Sequence, residues 1–223
     1  MIGRQQISMF DSGSIVNGSI GGNTEIEDNI ITSTHKKGEY GGPKGLRIRY
    51  RPKELPCLQG TLKYKVFFPP DFEIIKGGKL PGLCGGCDCN HTGFATRLMW
   101  RRKADGEVYC HGPKQSESYY QQNWTYNPKF GDSLGRGNFK FLLGQWNSVA
   151  LYLKLNDVGI DNGIIHLTVN GQPAFEYSNY IFRECDRTSI DTILFVMFYG
   201  GSDQSWAPNK DTFAKFKDLE FSI

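Results

Sequence analysis

The stretch TLKYKVFF, residues 61–68, alternates apolar and basic side chains along its length. Every second position from Leu62 to Phe68 is apolar, whereas Lys63 and Lys65 occupy positions between them. Successive side chains of a β-strand point to opposite faces of a sheet, so the apolar set shares one face. The stretch therefore predicts a strand with one face in a hydrophobic core and the other in water.

The same two-residue period recurs in four further stretches. They are GLRIRY (45–50), SVALYLKL (148–155), GIIHLTVNG (163–171) and KDLEFSI (217–223). A sixth stretch, TILFVMFY at 192–199, is apolar on both parities, which is typical of a central strand buried on both faces. Asn170-Gly171 ends one of these strands and predicts a tight hairpin turn.

The composition also favours an all-β fold. The chain has 223 residues and 27 glycines, and no stretch keeps a helical apolar pattern for three turns. Many short strands without a linker or a repeat predict one domain over residues 1–223, an antiparallel β-jelly roll of two sheets with a concave substrate cleft. Residues 1–25 are expected to be disordered or to form an edge strand. The aromatic, polar stretch 112–138 is expected to be a functional loop.

Cysteine usage bears on the compartment in which the protein works. Six cysteines occur, at positions 57, 84, 87, 89, 110 and 185, and three of them lie in CGGCDC (84–89). No second pair of ligands with zinc spacing follows this stretch. One or two disulfides that pin the glycine-rich loop are therefore the favoured prediction, and a structural zinc site is the alternative.

The glycosylation sequons and the chain start give further predictions about location. Sequons occur at Asn17, Asn90 and Asn123, and they suit a secreted glycoprotein. The start MIGRQQISMF lacks a signal-peptide core, and no apolar run has the length of a membrane span. We expect a secreted, extracellular protein whose presequence is absent from this chain, with a virion-associated or cell-wall-acting protein as the alternative. We expect a monomer without a membrane partner.

Basic residues recur on the polar parity of successive strands. They are Arg47 and Arg49, Lys63 and Lys65, and Arg97 and Arg101. No acidic residue occurs at these polar positions, so neighbouring strands would carry a cationic stripe suited to a long anionic polymer. The net charge is only +3 and no RNA- or DNA-binding motif is present, so nucleic acid is disfavoured. The predicted partner is an acidic polysaccharide.

The stretch GEVYCHG, residues 106–112, places Tyr109 and His111 on one face of a strand. Their side chains would lie roughly 6–7 Å apart along that face. Two proton-carrying groups at this separation suit a general acid/base pair. A half-exposed tyrosine beside a surface histidine is the alternative.

Five blocks in a fixed order carry a family resemblance. They are GGKLPGL (77–83), GFATRLMWR (93–101), EVYCHG (107–112), GQWNSVALYLKLN (144–156) and FYGGSDQSWAP (198–208). In these blocks the chain resembles the family-14 polysaccharide lyases, the alginate and polyuronate lyases of marine molluscs and chlorella viruses, and a related glucuronan lyase family shares similar blocks. The resemblance implies a β-jelly roll that cleaves a 1,4-linked polyuronate by β-elimination, without a cofactor or a metal.

The resemblance implies roles for residues at matching positions. Lys79 matches a lysine beside the scissile bond, and Arg97 matches an arginine that binds the uronate carboxylate. Tyr109 matches the first tyrosine of a Tyr-x-Tyr pair, and the two cations are expected to lower its pKa from about 10. His111 departs from the pattern at the second tyrosine. Our hypothesis is that Tyr109 is the principal acid/base residue and that His111 supports it or shares the two proton transfers.

Other residues are predicted to bind substrate rather than to transfer protons. These are Arg101, His91 in the cysteine-rich loop, and the basic residues Arg47, Arg49, Lys63 and Lys65. Two functions other than catalysis stay open here: a lectin-like module that has lost catalysis at position 111, and a surface protein that only adheres to acidic polymers. The joint presence of Lys79, Arg97 and Tyr109 favours the enzyme, because binding alone needs no proton-carrying tyrosine.

Overall fold

The computed structural model describes residues 15–19, 23–42, 45–86 and 93–223, the first range by its backbone. Within these ranges the strands are β1 (Ile15–Ser19), β2 (Thr24–Glu27), β3 (Ile30–His35), β4 (Leu46–Tyr50), β5 (Gln59–Phe67), β6 (Gly77–Gly85), β7 (Phe94–Arg101), β8 (Asp105–His111), β9 (Asp132–Lys140), β10 (Trp146–Lys154), β11 (Gly163–Val169), β12 (Gln172–Tyr180), β13 (Thr192–Tyr199) and β14 (Thr212–Ser222). One helical turn, α1, spans Glu117–Tyr120, and 3-10 turns span Arg102–Ala104 and Gln204–Trp206.

Two antiparallel sheets of seven strands enclose the core, which confirms the predicted two-sheet sandwich. The first sheet has the order β1-β4-β13-β6-β7-β8-β9, and the second has the order β12-β11-β10-β5-β14-β3-β2. TLKYKVFF forms most of β5, in the middle of the second sheet between β10 and β14. Leu62 and Val66 are fully buried, so the apolar face of this strand lies in the core as its alternation predicts.

Aromatic side chains close one end of the core behind the first sheet. The ring of Trp100 in β7 lies 5.8 Å from that of Phe68 and 5.4 Å from that of Tyr199, centroid to centroid. Phe72 stacks on Tyr199 at 5.8 Å. Such ring pairs contribute about 0.5–1.5 kcal/mol each beyond the burial of their area. This packing fixes β7 and β13 from the core side.

The TILFVMFY stretch forms β13 and is buried on both faces, as predicted. Phe195 points into the core between the sheets. Leu194 and Val196 pack on the opposite, outer face of the first sheet against Cys84 and Ala95. An apolar patch therefore occupies part of the same face that carries the arginines of β4 and β7.

The prediction of one continuous cationic stripe is wrong. The strands β4 and β7, which carry the four arginines of the set, lie in the first sheet, whereas β5 lies in the second. Lys63 and Lys65 of β5 face outward there, 3.6 Å from Glu220 and 2.9 Å from Asp218. Acidic residues thus accompany these lysines, and each exposed pair contributes at most about 1 kcal/mol. Alternation within a strand predicts which of its faces is exposed to water, but it does not predict which sheet the strand joins.

The predicted disulfides are not seen in the described part of the chain. No disulfide joins Cys57, Cys84, Cys110 and Cys185 to one another. Cys84 and Cys110 are buried as small apolar side chains, and the Cys110 thiol lies 3.6 Å from the Thr96 hydroxyl. Packing between strands accounts for their burial without a covalent link. The other two cysteines, at 87 and 89, lie outside the described residues.

The N-terminal part of the chain forms one edge strand of each sheet. β1 pairs with β4 at the edge of the first sheet, and β2 pairs with β3 at the edge of the second. Residues 1–14 and 20–22 lie outside the described residues. In the ranges described, no helix is long and apolar enough to cross a membrane.

Candidate active site

Three neighbouring strands of the first sheet, β6, β7 and β8, bring the predicted site residues together. Lys79 is opposite Met99 in the register of β6 with β7. Tyr109 is opposite Arg97 in the register of β7 with β8, and His111 follows two residues later on the same face. Adjacent strands lie about 4.7–4.9 Å apart, so side chains on this face are within reach of one another.

A cleft of about 630 Å³ opens on this outer face. Its floor consists of side chains from β6, β7 and β8. One wall is the loop between α1 and β9, and the other is the glycine-rich turn that follows β13. Its lining includes the side chains of Lys79, Met99, Arg101, Tyr109, His111, Ser133, Arg136 and Trp206.

Lys79 lies on the face of the Tyr109 ring. Its Nζ is 2.9 Å from the ring centroid and donates a hydrogen bond to Met99 Sδ at 3.1 Å. Burial lowers the pKa of Lys79 well below its ordinary value, and the nearby guanidiniums of Arg97 and Arg101 lower it further. The neutral amine is therefore favoured more than in an exposed lysine. An anion that enters the cleft would favour the ammonium form instead.

The hydroxyl of Tyr109 faces the loop that forms one wall of the cleft. It donates a hydrogen bond to the main-chain carbonyl of Phe130. Burial raises the pKa of Tyr109 to about 12 and outweighs the opposing effect of Arg97 and Arg101. Arg97 lowers this pKa as predicted, but the net shift is upward, because the burial of the phenol has the larger effect. A phenol with this pKa is protonated at neutral pH, so it has a proton that it can donate.

His111 lies beside Tyr109 on the cleft floor. The two rings are 5.4 Å apart and nearly perpendicular, at 76°. The backbone of Gly131 passes over the imidazole, and a Cβ there would lie 2.7 Å from His111 Nε2. Gly131 also has φ of +105°, which side-chain-bearing residues rarely adopt. The glycine thus permits the loop to close over both proton-carrying groups.

Glu107 is a functional residue that the sequence reasoning missed. Its carboxylate is fully buried in the floor two residues before Tyr109. It accepts hydrogen bonds from Arg101 Nε and from Arg136 Nε, each at 2.7 Å, and it forms an ion pair with Arg101 Nη2 at 2.6 Å. The Ser133 hydroxyl donates to the same carboxylate at 3.0 Å. One buried anion therefore holds two guanidiniums at the edge of the cleft.

The two-residue strand period of GEVYCHG could have identified Glu107 as a residue of the site. Glu107 has the parity of Tyr109 and His111, so it shares their face. Its partners Ser133 and Arg136 come from β9, which the sequence analysis assigned to a loop. The pairing of β8 with β9 puts Ser133 opposite Tyr109, and no local pattern predicts that register.

The remaining predicted residues differ in their position relative to the cleft. Arg47 and Arg49 lie in β4 on the same sheet face, opposite Val196 and Leu194 of β13, and they do not line the cleft. Arg97 is half-buried beside Tyr109 and acts on the site electrostatically without lining the cleft. The predicted His91 lies outside the described residues.

Two segments form walls around the floor. Asp132 accepts hydrogen bonds from the Tyr119 hydroxyl at 2.8 Å and from the Asn127 main-chain nitrogen at 2.7 Å, which tie the loop to β9. On the other side, Trp206 of the FYGGSDQSWAP block lines the cleft, 5.6 Å from Lys76 Nζ. From the sequence, structural packing is the favoured role of this block, and contact with sugar is the alternative.

Comparison with known proteins identifies the family. A family model described as polysaccharide lyase 14 matches residues 24–219. Exolysin of Paramecium bursaria Chlorella virus 1 is 27% identical, over 94% of this chain and 37% of its own length. The chain thus spans little more than a third of this curated relative.

Solved structures of alginate lyases share the fold. The marine PL-14 alginate lyase from Aplysia kurodai superposes with a TM-score of 0.79 at 28% identity, over 89% of this chain and 85% of that one. Alginate lyase vAL-1 from Chlorella virus gives a TM-score of 0.76 at 20% identity, over 89% and 88%. These likenesses confirm the predicted jelly roll. Since the family model matches most of its length, the chain belongs to the polysaccharide lyase 14 family.

Proposed function

We propose that this chain cleaves a 1,4-linked polyuronate by β-elimination and leaves an unsaturated uronate at the new end. The observation that carries the proposal is the presence of three different groups in one cleft. A protonated phenol and an imidazole lie 5.4 Å apart, ring to ring, beside a buried lysine. Guanidinium groups of Arg101 and Arg136 face the same cleft, so it suits an anionic sugar.

The elimination needs a cation, a base and an acid. Loss of the C5 proton places negative charge on the uronate carboxylate, and a fixed cation beside that carboxylate stabilises the charge. Arg101 lies 6.0 Å from the Tyr109 ring, and only 13% of its side chain is exposed. Arg101 and the adjacent Arg97 supply this positive potential. The entering carboxylate also raises the pKa of Lys79, so a protonated Lys79 joins them.

Tyr109 and His111 carry out the two proton transfers. His111 takes the C5 proton, the C–H electrons form the C4–C5 double bond, and the C4–O4 bond breaks. Tyr109 gives its proton to the departing O4 oxygen, because its raised pKa keeps the phenol protonated. After the product leaves, His111 releases its proton to solvent and Tyr109 takes up a proton from solvent, which restores both groups. Atoms and charges balance over this cycle.

The substrate is an acidic polysaccharide of the alginate type. The alginate lyase from Aplysia kurodai, at 28% identity, supports this choice. The paired arginines of the cleft also fit a polymer that carries one carboxylate on each sugar. We retain the prediction of an extracellular setting, and the exposed sequon at Asn123 supports it.

The test is ultraviolet absorbance after the protein is mixed with polymannuronate, polyguluronate and glucuronan in parallel. Elimination creates a conjugated unsaturated uronate that absorbs, whereas hydrolysis and binding do not. We expect absorbance to rise with at least one polymer and to name the substrate. Unchanged absorbance with all three, together with retained binding, would contradict the lyase and favour a lectin-like module.

A further inference from the structure

A second pocket, of about 300 Å³, adjoins the active-site cleft. Its lining residues are Lys76, Arg101, Arg102, Asp105, Arg136 and Trp206. Arg101, Arg136 and Trp206 line both spaces, so the cleft continues past them into this pocket. None of the proton-carrying groups assigned above lines the second pocket.

Positive charge dominates this second pocket. Four of its lining residues are cations, and its one acid, Asp105, forms an ion pair with Lys140. Beneath it, the single carboxylate of Glu107 is shared by Arg101 and Arg136. One anion neutralises only one of two guanidiniums, so positive potential is left at the boundary between the two spaces.

Three of the four cations of this pocket, Arg101, Arg136 and Lys76, are held in place before any ligand binds, and the fourth, Arg102, is exposed at its rim. Ser133 Oγ accepts hydrogen bonds from Arg101 Nη2 at 3.1 Å and from Arg136 Nη2 at 3.0 Å, in addition to the contacts with Glu107. Lys76 Nζ donates to the Ser205 hydroxyl and lies over the Trp206 ring. Ordered side chains lose less conformational entropy when they bind an anion, so this arrangement favours binding.

We propose that the second pocket is a distal subsite for the carboxylate of a uronate residue that lies outside the scissile linkage. The inference rests on the proposed function and adds to it a dependence on substrate length. A polyuronate has a carboxylate on each sugar, so a chain in the cleft presents further anions beyond the reacting unit. The half-buried Trp206 supplies an apolar surface for the sugar ring between the two anion sites.

The test measures kcat/KM for oligouronates of increasing length, from the disaccharide upwards, by ultraviolet absorbance. We expect longer oligomers to react more efficiently in the wild type. Arg102→Gln should lower kcat/KM for long oligomers about five-fold, as for one partly exposed ion pair, and so flatten the length profile. Lys103→Gln is the matched control, since Lys103 is the exposed neighbour in the same turn and lines neither space. Identical profiles for the two variants would overturn the subsite.

A binding measurement separates this proposal from the lyase proposal. Titration calorimetry with a long oligouronate uses Tyr109→Phe, which lacks the acid group, with and without Arg102→Gln. A Kd about five-fold weaker in the double variant supports the subsite, and an unchanged Kd overturns it. This result holds even if the wild type cleaves no polymer, which would contradict only the lyase. A wild type that cleaves with a length profile insensitive to Arg102→Gln would overturn only the subsite.

Discussion

The phenol of Tyr109 is buried and is protonated at neutral pH. Its pKa of about 12 reflects burial that outweighs two nearby guanidiniums. We expect Tyr109→Phe to lower kcat by about 10²- to 10⁴-fold, because the ring and its contact with Lys79 stay while the acid proton is lost. Initial rates of ultraviolet absorbance measure this, and circular dichroism checks the fold. An unchanged kcat would remove Tyr109 from the mechanism.

Lys79 gives a prediction about proton uptake. Its pKa lies well below the ordinary value in the protein alone, and a bound carboxylate raises it. At a pH between the pKa of Lys79 in the free protein and its pKa in the complex, substrate binding to Tyr109→Phe should therefore be accompanied by uptake of a proton. Titration calorimetry in buffers of different ionisation enthalpy measures this uptake. It should disappear when Lys79→Met is added, and persistent uptake in that double variant would assign the proton to another group.

Among the strands, Glu107 of β8 is the acidic residue on which the cleft edge depends. Glu107→Ala leaves the guanidiniums of Arg101 and Arg136 without their buried anionic partner. We therefore expect the free energy of unfolding to fall by about 3–5 kcal/mol. Urea denaturation measures this change. Asp105→Ala is the matched control on the same strand, because it breaks a partly exposed pair worth at most about 1 kcal/mol. Equal losses for the two variants would contradict the structural role of Glu107.

His35 of β3 makes the stability of the second sheet depend on pH. It is 2% exposed, lies 3.2 Å from the Ser33 hydroxyl, and burial lowers its pKa from 6.5 to about 4. As pH falls below 6.5, the unfolded chain binds a proton before the folded chain does. Stability present above that pH is therefore lost as pH falls towards 4, by on the order of 3 kcal/mol.

Urea unfolding across this pH range tests the His35 prediction. His35→Gln should make the stability curve flatter, whatever its effect on absolute stability. His166→Gln, at a half-buried position on the outer face of the same sheet, is the control and should keep the wild-type slope. A wild-type slope in His35→Gln would assign the pH dependence to other groups.

The strand alternation predicted the elements well and their partners poorly. TLKYKVFF and TILFVMFY are β5 and β13, with the burial that each pattern predicts. The pairing of β5 with β14 joins residues about 150 positions apart, and no local period encodes it. The assignment of Lys63 and Lys65 to a shared stripe failed for this reason.

Prediction of the site from the sequence was limited in the same way, because local patterns do not encode strand pairing. Lys79, Tyr109 and His111 share one cleft because they lie on neighbouring strands, and the blocks around them resemble a family. The pKa of Tyr109 depends instead on the loop that covers it, whose sequence has no regular period. Residues on β9, such as Arg136, complete the site only through long-range register.

For the whole molecule, the two sheets differ in the charge that they present. The cleft of the first sheet is cationic, whereas Lys63 and Lys65 on the second have acidic partners. Raising the ionic strength should therefore increase KM for the polymer more than it changes kcat, because exposed charges are screened. Arg136→Gln should weaken this salt dependence, and the double substitution Lys63→Gln and Lys65→Gln should leave it unchanged. An effect of equal size in both variants would show that overall charge, rather than the cleft, attracts the polymer.

The contact between Tyr109 and the Phe130 carbonyl has a consequence for protein engineering. The acceptor belongs to the main chain, so no exchange of a single side chain removes it directly. In the proposed mechanism, substrate O4 competes with this oxygen for the one hydroxyl, and the conformation of the loop determines how close the carbonyl lies to it. Exchange of the whole loop between relatives, rather than point mutagenesis, is therefore the direct way to alter how readily the Tyr109 hydroxyl leaves this acceptor.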